Sequence, residues 1–474
     1  MYIHLVGVCG TGMGPLAGLL KSLGHRVGGS DRAFHPPMAD ALERWGVETR
    51  QGFCAGNLDP RPDLVVVGNV CRPDNAEARA AIEAAIPCRS MPAALDEFVL
   101  RGRQSFVVAG THGKTTTTTL LAKMFLLAGC EPGFLIGGVP HDLDDSFRAG
   151  HPGGPFVIEG DEYDSAFFDK TPKFWHYRPH VVALTSLELD HIDIYPTLDA
   201  YRAAFHEFVE RIPPEGLLVA YAGDPEVRAL AAGARCRVRF YALEGDDCGD
   251  VQPVWSAAAV PMASGVQPFD LFVGGSFCGR LATPLSGQHN LRNVLAAIAM
   301  AAEGAGVPLD RLRALVSRVR GAKRRQELIG EAHGVRVYDD FAHHPTAVTA
   351  TLAALRARNP AGRLIAVFEP RSATASRRVH QDVYAQAFRA ADFTLLAPVG
   401  RPEIPPGQRL DVAAIAEQIR KHGGLAETPP GVDATVARIS ELAQPQDSVV
   451  VMSNGSFGGL QAKLLVALAT NPEI

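Results

Sequence analysis

Nothing in the 474-residue sequence approaches the roughly 20 consecutive apolar residues that a membrane-spanning helix needs. The chain enters a strand-like run at Tyr2, with no basic segment, apolar stretch and cleavage site in front of it. Basic charge is not in excess. Lys and Arg number 46 against 51 Asp and Glu, a formal charge of -5, so the sequence carries no electrostatic footprint for nucleic acid or an anionic membrane. Cysteine is scattered: Cys9, Cys54, Cys71, Cys88, Cys130, Cys236, Cys248 and Cys278 form no C-x-x-C pair. That pattern suits reduced thiols better than a disulfide frame or a zinc site. No internal repeat or low-complexity tract breaks the chain. These absences leave the expectation of a soluble, cytoplasmic enzyme acting on small molecules, and the length suggests roughly two to four domains.

What is present centres on Gly110-Thr-His-Gly-Lys-Thr-Thr116, between the apolar run Ser105 to Ala109 and the apolar stretch Leu120 to Leu127. A strand, a glycine turn and a helix start in that order make a triphosphate cradle. Backbone N–H groups converge on phosphate oxygens, Lys114 reaches the β- and γ-phosphates, and the Thr115 hydroxyl ligates Mg²⁺. Only the shorter form of the phosphate-loop pattern is there, since Val108 stands where the full form has glycine. A glycine- and threonine-rich turn without a nucleotide is the plainer alternative.

A second glycine loop, Cys9-Gly-Thr-Gly-Met-Gly14, follows the strand-like Tyr2 to Val8 and precedes a helical run. This Rossmann-like opening lets a diphosphate approach a helix N-terminus, with Asp31 placed to meet a ribose. Gly68 and Asn69 end a later strand of the same sheet. A domain of residues 1–103 is expected, then a central one of 104–320 and a third of 321–474 whose alternating strands and helices make it doubly wound. The strand-like Phe156 to Asp161 and Val181 to Thr185 should end at the nucleotide, and Asp246 to Phe277 reads as strands and loops. Glu159 and His191 are candidate metal ligands, although a histidine among acidic residues is often only hydrogen-bonded, and Mg²⁺ prefers oxygen. Arg324-Arg325 either bridges domains or sits on a solvated linker. Asp339-Asp340 and His343-His344 are either functional at a strand end or polar loop. A dinucleotide-dependent oxidoreductase built on Gly7 to Gly14 is a rival, but it leaves the phosphate loop unexplained.

Gly110 to Thr116, Glu159-Gly-Asp-Glu-Tyr-Asp164, Asp190-His191, Gly287-Gln-His-Asn-Leu-Arg-Asn293, Lys323-Arg-Arg-Gln326 and Asp339-Asp-Phe-Ala-His-His-Pro345 stand in this order over almost the whole chain. Together they resemble the Mur ligase family of ATP-dependent amide-forming enzymes. The resemblance implies an α/β protein of three domains: a Rossmann-like UDP-binding domain, a central P-loop ATPase domain with a parallel sheet, and a C-terminal Rossmann-like domain that brings the amine. It implies that ATP is bound by Gly110, Thr111, His112, Gly113, Lys114, Thr115, Thr116, His289, Asn290, Asn293, Arg325 and Asp340. The UDP moiety falls to Gly10, Thr11, Gly12, Met13, Gly14, Ser30, Asp31 and Asn69. Mg²⁺ falls to Thr115, Glu159 and His191, with Lys114 and His343 as further catalytic candidates.

Within the family, the Cys9 to Gly14 loop and the Glu159 block look like the two branches that act on UDP-N-acetylmuramate itself. One adds L-alanine, and the other adds the recovered tripeptide L-alanyl-γ-D-glutamyl-meso-diaminopimelate. Gly29 to Met38, Asp161 to Lys170, Phe174 to Tyr177 and Glu369-Pro-Arg-Ser372 favour the second, as does Phe341 where the alanine-adding branch usually has tyrosine. The implied partners are UDP-N-acetylmuramate, ATP and muropeptides, for a monomer or weak homo-oligomer. A non-catalytic muropeptide sensor is a further rival. Phe205 stands where other branches carry a carbamoylated lysine that helps hold a second metal, so this chain cannot use that group.

Overall fold

The computed structural model describes residues 1–262 and 265–470. The expected strand-and-loop stretch at 263–264 and the last four residues of the expected third domain lie outside the described residues. Three large sheets succeed one another along the chain, with a two-stranded pair, Asp164–Ala166 and Asp169–Pro172, beside them. The first has five parallel strands in the order Glu48–Gln51, Arg26–Asp31, Tyr2–Val6, Leu64–Val67, Cys88–Ser90. The order reverses at Tyr2–Val6, and the glycine loop 7–14 leaves the carboxyl end of that strand. This is the crevice in which open α/β sheets take ligands.

The ten-stranded second sheet has Pro179–Leu184, Ser105–Ala109 and Phe156–Gly160 side by side and parallel. Their carboxyl ends therefore lie together, bringing residues 110–116, 161–164 and 185–191 to one rim. Alternation along Ser105–Ala109 explains its place in the interior. Phe106 and Val108 face the helices Lys114–Leu127 and Gln288–Ala305, while Val107 and Ala109 face the other way. On that second face they join one continuous apolar cluster with Ile3, Leu5 and Leu16 of the first sheet's layer. The expected parallel sheet carries antiparallel edges: Gln267–Val273 and Ser276–Thr283 form a hairpin at one side, and Phe147–Arg148 pairs at the other. The turn Gly274-Gly275 suffices to join the first of these pairs, as an antiparallel pairing allows.

The third sheet has the order Glu327–Ala332, Val335–Asp340, Ser448–Met452, Leu364–Phe368, Phe393–Leu396, Leu425–Glu427, with only the first pair antiparallel. Its two faces carry their own apolar clusters, around Tyr338 and Phe368 and around Val337 and Val451. No described helix is long and apolar enough to cross a membrane.

The first sheet holds a buried charge. Glu77 has no solvent exposure, and its Oε1 accepts from Ser30 Oγ at 2.6 Å and meets His4 Nε2 at 2.5 Å, while Oε2 accepts from Asn57 Nδ2 at 2.6 Å. Burial works against the charge, yet these bonds hold the carboxyl below its ordinary value. Such a group contributes stability at any pH above the unfolded value, 4.5, and loses it as pH falls through the lower folded value. Glu77→Leu should therefore cost about 3–5 kcal/mol in urea unfolding at neutral pH, because it strands three buried donors. The gap to wild type should narrow as the pH drops below that of an ordinary carboxylate.

Candidate active site

The loop after Ser105–Ala109 needs glycine at two points for reasons of space. Gly110 has φ +130°, and a Cβ there would lie 2.8 Å from the Ser186 carbonyl oxygen. Gly113 has φ +81°, and a Cβ there would lie 2.3 Å from Asn293 Oδ1. The loop is thus pressed between the next strand's end and the helix Gln288–Ala305. The Lys114–Leu127 helix starts directly after Gly113, so its unpaired N–H groups open onto the rim.

Lys114 Nζ donates to the Gly110 carbonyl at 2.6 Å and to Glu162 Oε1 at 2.9 Å. Burial disfavours the ammonium, but Glu162, Asp161 and Glu159 outweigh it and raise its pKa above the ordinary lysine value. Thr115 Oγ1 donates to Glu159 Oε2 at 2.8 Å, and Glu159 Oε1 accepts from the Gly137 N–H. Burial pushes the Glu159 carboxyl up against those bonds. His191 has φ +54°, a left-handed conformation uncommon outside glycine. Its Nε2 lies 3.0 Å from Glu162 Oε1, and its ring lies against Tyr163, centroids 4.3 Å apart. Burial lowers the imidazole's pKa, but the Glu162 contact wins and raises it.

The Mg²⁺ implied by the family resemblance meets a suitable donor set. Thr115 and Glu159 offer hard oxygens side by side, and Glu162 Oε2 is buried without a hydrogen-bond partner among the described residues. Glu162 was not singled out in the sequence, although it lies inside the Glu159 to Asp164 block. It sits in a loop after a strand, where spacing says nothing about direction, and a bare acid in a known motif was the only signal.

The third sheet's residues reach this rim at several points. Arg325 Nη2 is 3.4 Å from Thr115 Oγ1, with the guanidinium carbon 4.9 Å from the Phe341 ring centre. Arg324, at φ +57°, turns the other way, onto Asp339 at 3.0 Å and the Ser453 and Gly455 carbonyls. The arginine pair is therefore no solvated linker. His343 Nε2 lies 3.6 Å from Asp190 Oδ2. His112 Nε2 meets Glu188 Oε2 at 2.7 Å, and Thr346 Oγ1 donates to Glu188 Oε1 at 3.0 Å with His344 Nδ1 3.4 Å from Glu188 Oε2. His112, Glu188 and His344 place ligand atoms within 4.8 Å of one another, and these mutual contacts already satisfy the carboxylate.

Other expected residues take structural partners. Thr111 Oγ1 donates to the Glu188 carbonyl, and Thr116 is buried. Asn290 Nδ2 donates to the Ser286 carbonyl. His289, whose pKa burial and nearby arginines push down to about 4, meets Gln326 at 3.1 Å. Asp340, expected to hold ribose or orient its domain, accepts from Gln326 N and Ala342 N at 2.7 Å each. One oxygen thus shapes its own turn, and the other ties that turn to the segment before the sheet.

At the first sheet, Gly10 and Gly12 stay in the loop beside exposed Thr11, Met13 is buried, and Gly14 is packed on Met38, whose Sδ would be 2.2 Å from a Cβ. Asn69 is exposed at the rim. Asp31 Oδ2 accepts from Cys9 N at 2.8 Å and so fastens the loop. Ser30 departs from expectation: its hydroxyl is buried on Glu77, which turns it away from any ligand in the crevice.

With this geometry in hand, three family descriptions match the chain: the Mur ligase family catalytic domain at residues 2–103, the Mur ligase middle domain at 108–301 and the Mur ligase glutamate ligase domain at 324–455. The UDP-N-acetylmuramate–L-alanyl-γ-D-glutamyl-meso-2,6-diaminoheptandioate ligase of Escherichia coli K12 is 41% identical over 100% of this chain and 99% of its own. A UDP-N-acetylmuramate–L-alanine ligase of Roseiflexus sp. RS-1 is 36% identical over 96% of each chain. The crystal structure of a murein peptide ligase from Psychrobacter arcticus 273-4 superposes with a TM-score of 0.72 at 37% identity, covering 99% of both chains. The chain belongs to the Mur ligase family.

Proposed function

We propose that the chain is an ATP-dependent ligase that forms the amide between UDP-N-acetylmuramate and the tripeptide L-alanyl-γ-D-glutamyl-meso-diaminopimelate. The observation that carries this reading is the phosphate-loop lysine, Lys114, held on the same buried carboxylate as His191, in a chain that matches a ligase of that name from end to end. Residues 1–103 would hold the UDP moiety, 104–320 ATP, and 321–474 the amine. The reaction belongs to the cytoplasm, in peptidoglycan recycling and so in cell-wall growth, cell shape and division. Its partners are the nucleotides and muropeptides, with neither nucleic acid nor membrane, and the enzyme works as a monomer or weak homo-oligomer.

The lactyl carboxylate attacks the γ-phosphorus of ATP, and the bond to the β-bridging oxygen breaks, releasing ADP. The acyl phosphate so formed is attacked by the neutral α-amine of the tripeptide's alanine. Phosphate leaves as the amide forms, and the amine's proton passes to a base. Lys114, once drawn off Glu162, and Arg325, beside Thr115, would take up charge on the transferring phosphoryl group. Thr115, Glu159 and His191 would hold Mg²⁺, which when bound neutralises phosphate charge. His289, Asn290 and Asn293 stand at the start of the helix whose Asn293 packs on Gly113, and would position the nucleotide. His343, close to Asp190 and on the amine-bearing part, would align the amine or carry its proton.

Phosphate release with ATP, Mg²⁺ and UDP-N-acetylmuramate tests the reading. Turnover is expected with L-alanyl-γ-D-glutamyl-meso-diaminopimelate and not with free L-alanine. Turnover with L-alanine alone would make the chain the alanine-adding enzyme, and none with either would favour a sensor. Lys114→Ala should lower acyl phosphate formation by about 10²–10³. Calorimetry should find its affinity for UDP-N-acetylmuramate unchanged within about twofold, because the lysine lies at the second sheet and not at the first.

A further inference from the structure

The two oxygens of Glu162 are in very different situations. Oε1 takes Lys114 Nζ at 2.9 Å, His191 Nε2 at 3.0 Å and Tyr201 Oη at 3.1 Å. Oε2 is equally buried and has no hydrogen-bond partner among the described residues. A crowded oxygen beside a bare one is costly, since an unmet buried acceptor forfeits its hydration. The side chain itself has no freedom to relieve this. Its own carbonyl accepts from Tyr195 Oη at 2.7 Å, and Tyr201 approaches from the helix Leu198–Glu210.

Lys114 is folded back on its own loop, with the ammonium on the Gly110 carbonyl as well as on Glu162. To reach a nucleotide's phosphates it has to leave both. That departure would strand an ionised carboxylate in the interior, which is strongly unfavourable unless another positive charge takes over. His191, its ring against Tyr163, sits on the crowded Oε1 and leaves Oε2 bare. Oε2, buried and unpartnered, is the atom left to receive a cation, and a carboxylate oxygen is a donor that accepts Mg²⁺ or Mn²⁺.

We infer that Glu162 is a positioning residue that exchanges Lys114 for a divalent cation: Oε1 holds the ammonium while nucleotide is absent, and Oε2 ligates the cation once Lys114 has moved to the phosphates. The exchange keeps Glu162 neutralised at each stage. It couples the lysine's release to the presence of a cation, so that ATP stripped of divalent metal fails to draw Lys114 off Glu162. The inference rests on the ATP-ligase reading of Lys114.

The test uses Mn²⁺ and the full-length protein without nucleotide, with bound and free ion counted by electron paramagnetic resonance. Lys114→Met removes the competing ammonium and should bind Mn²⁺ at least about tenfold more tightly than wild type, as expected for a buried carboxylate that has lost its partner. Adding Glu162→Gln should abolish that gain. Equal affinity in wild type and Lys114→Met, or a gain that survives Glu162→Gln, overturns the exchange. A second measurement does not depend on the double variant. Glu162→Gln alone should bind ATP in EDTA at least about fivefold more tightly than wild type, because Lys114 is no longer held by a charge, and unchanged or weaker binding of metal-free ATP counts against the inference. Neither experiment involves the acceptor or turnover. Their failure leaves the ligase reading intact, and that reading fails separately if no acceptor elicits phosphate release.

Discussion

The ion pair between Lys114 and Glu162 is the constraint around which the central rim is built. A lysine at the start of a helix that opens toward phosphate would otherwise add to the positive end of the helix dipole. Glu162 cancels that charge and draws in His191 and Tyr201, so one carboxylate oxygen sets the positions of groups from three separate segments. The cost of burying Glu162 is met because the strands Ser105–Ala109, Phe156–Gly160 and Pro179–Leu184 run parallel and end together. Parallel pairing of non-consecutive strands is what gathers residues 114, 162 and 191. Tyr163 and the left-handed turn at His191 then fix the imidazole relative to the loop.

Much of this was legible in the sequence because strands buried on both faces read as unbroken apolar runs, and Ser105 to Ala109 begins and ends where the run does. The glycines of the phosphate loop were equally plain, since their left-handed or crowded positions admit nothing larger. Glu162 was not plain, because the direction of a loop side chain depends on what it is packed against, here a lysine 48 residues earlier in the chain. Ser30 misled for the same reason: it follows a glycine pair at a strand end facing the crevice, but its hydroxyl donates inward to Glu77. Arg324 and Arg325 are neighbours in sequence and both flank the Phe341 ring, yet their hydrogen bonds go to different partners, Asp339 for the one and Thr115 for the other. No pattern of charge alone separates them.

The three parts of the chain are joined by two kinds of seam. The first sheet's layer and one face of the second share a single apolar cluster that includes Ile3, Leu5, Val107, Ile158 and Leu184. Separating them would expose that cluster to water, at a cost that rises with every apolar side chain uncovered. The third part keeps its own two apolar clusters and meets the second chiefly through charged and polar pairs: Arg325 with Thr115, Glu188 with His344 and Thr346, Asp190 with His343, and Ile192 N with Thr374 Oγ1. Polar contacts can be exchanged for water at little net cost, so this seam is the weaker one.

That asymmetry bears on chemistry that needs groups from both sides. Glu188 belongs to the strand-end segment beside the phosphate loop, and it binds His112 of that loop and Thr346 of the third part at once. Burial opposes charge on Glu188, but His112, His344 and Thr346 together hold its carboxyl well below the ordinary value. A negative charge so stabilised makes the closed arrangement favourable only while its partners stand on both sides of the seam. The same carboxylate therefore touches the phosphate loop and fastens the third part, which means that a ligand rearranging His112 changes the balance of the seam through electrostatics. Apolar attachment of the first part and polar attachment of the third divide the molecule: the crevice of the first sheet is held at a fixed distance from the phosphate loop, and the seam with the third part is the one that separates at less cost.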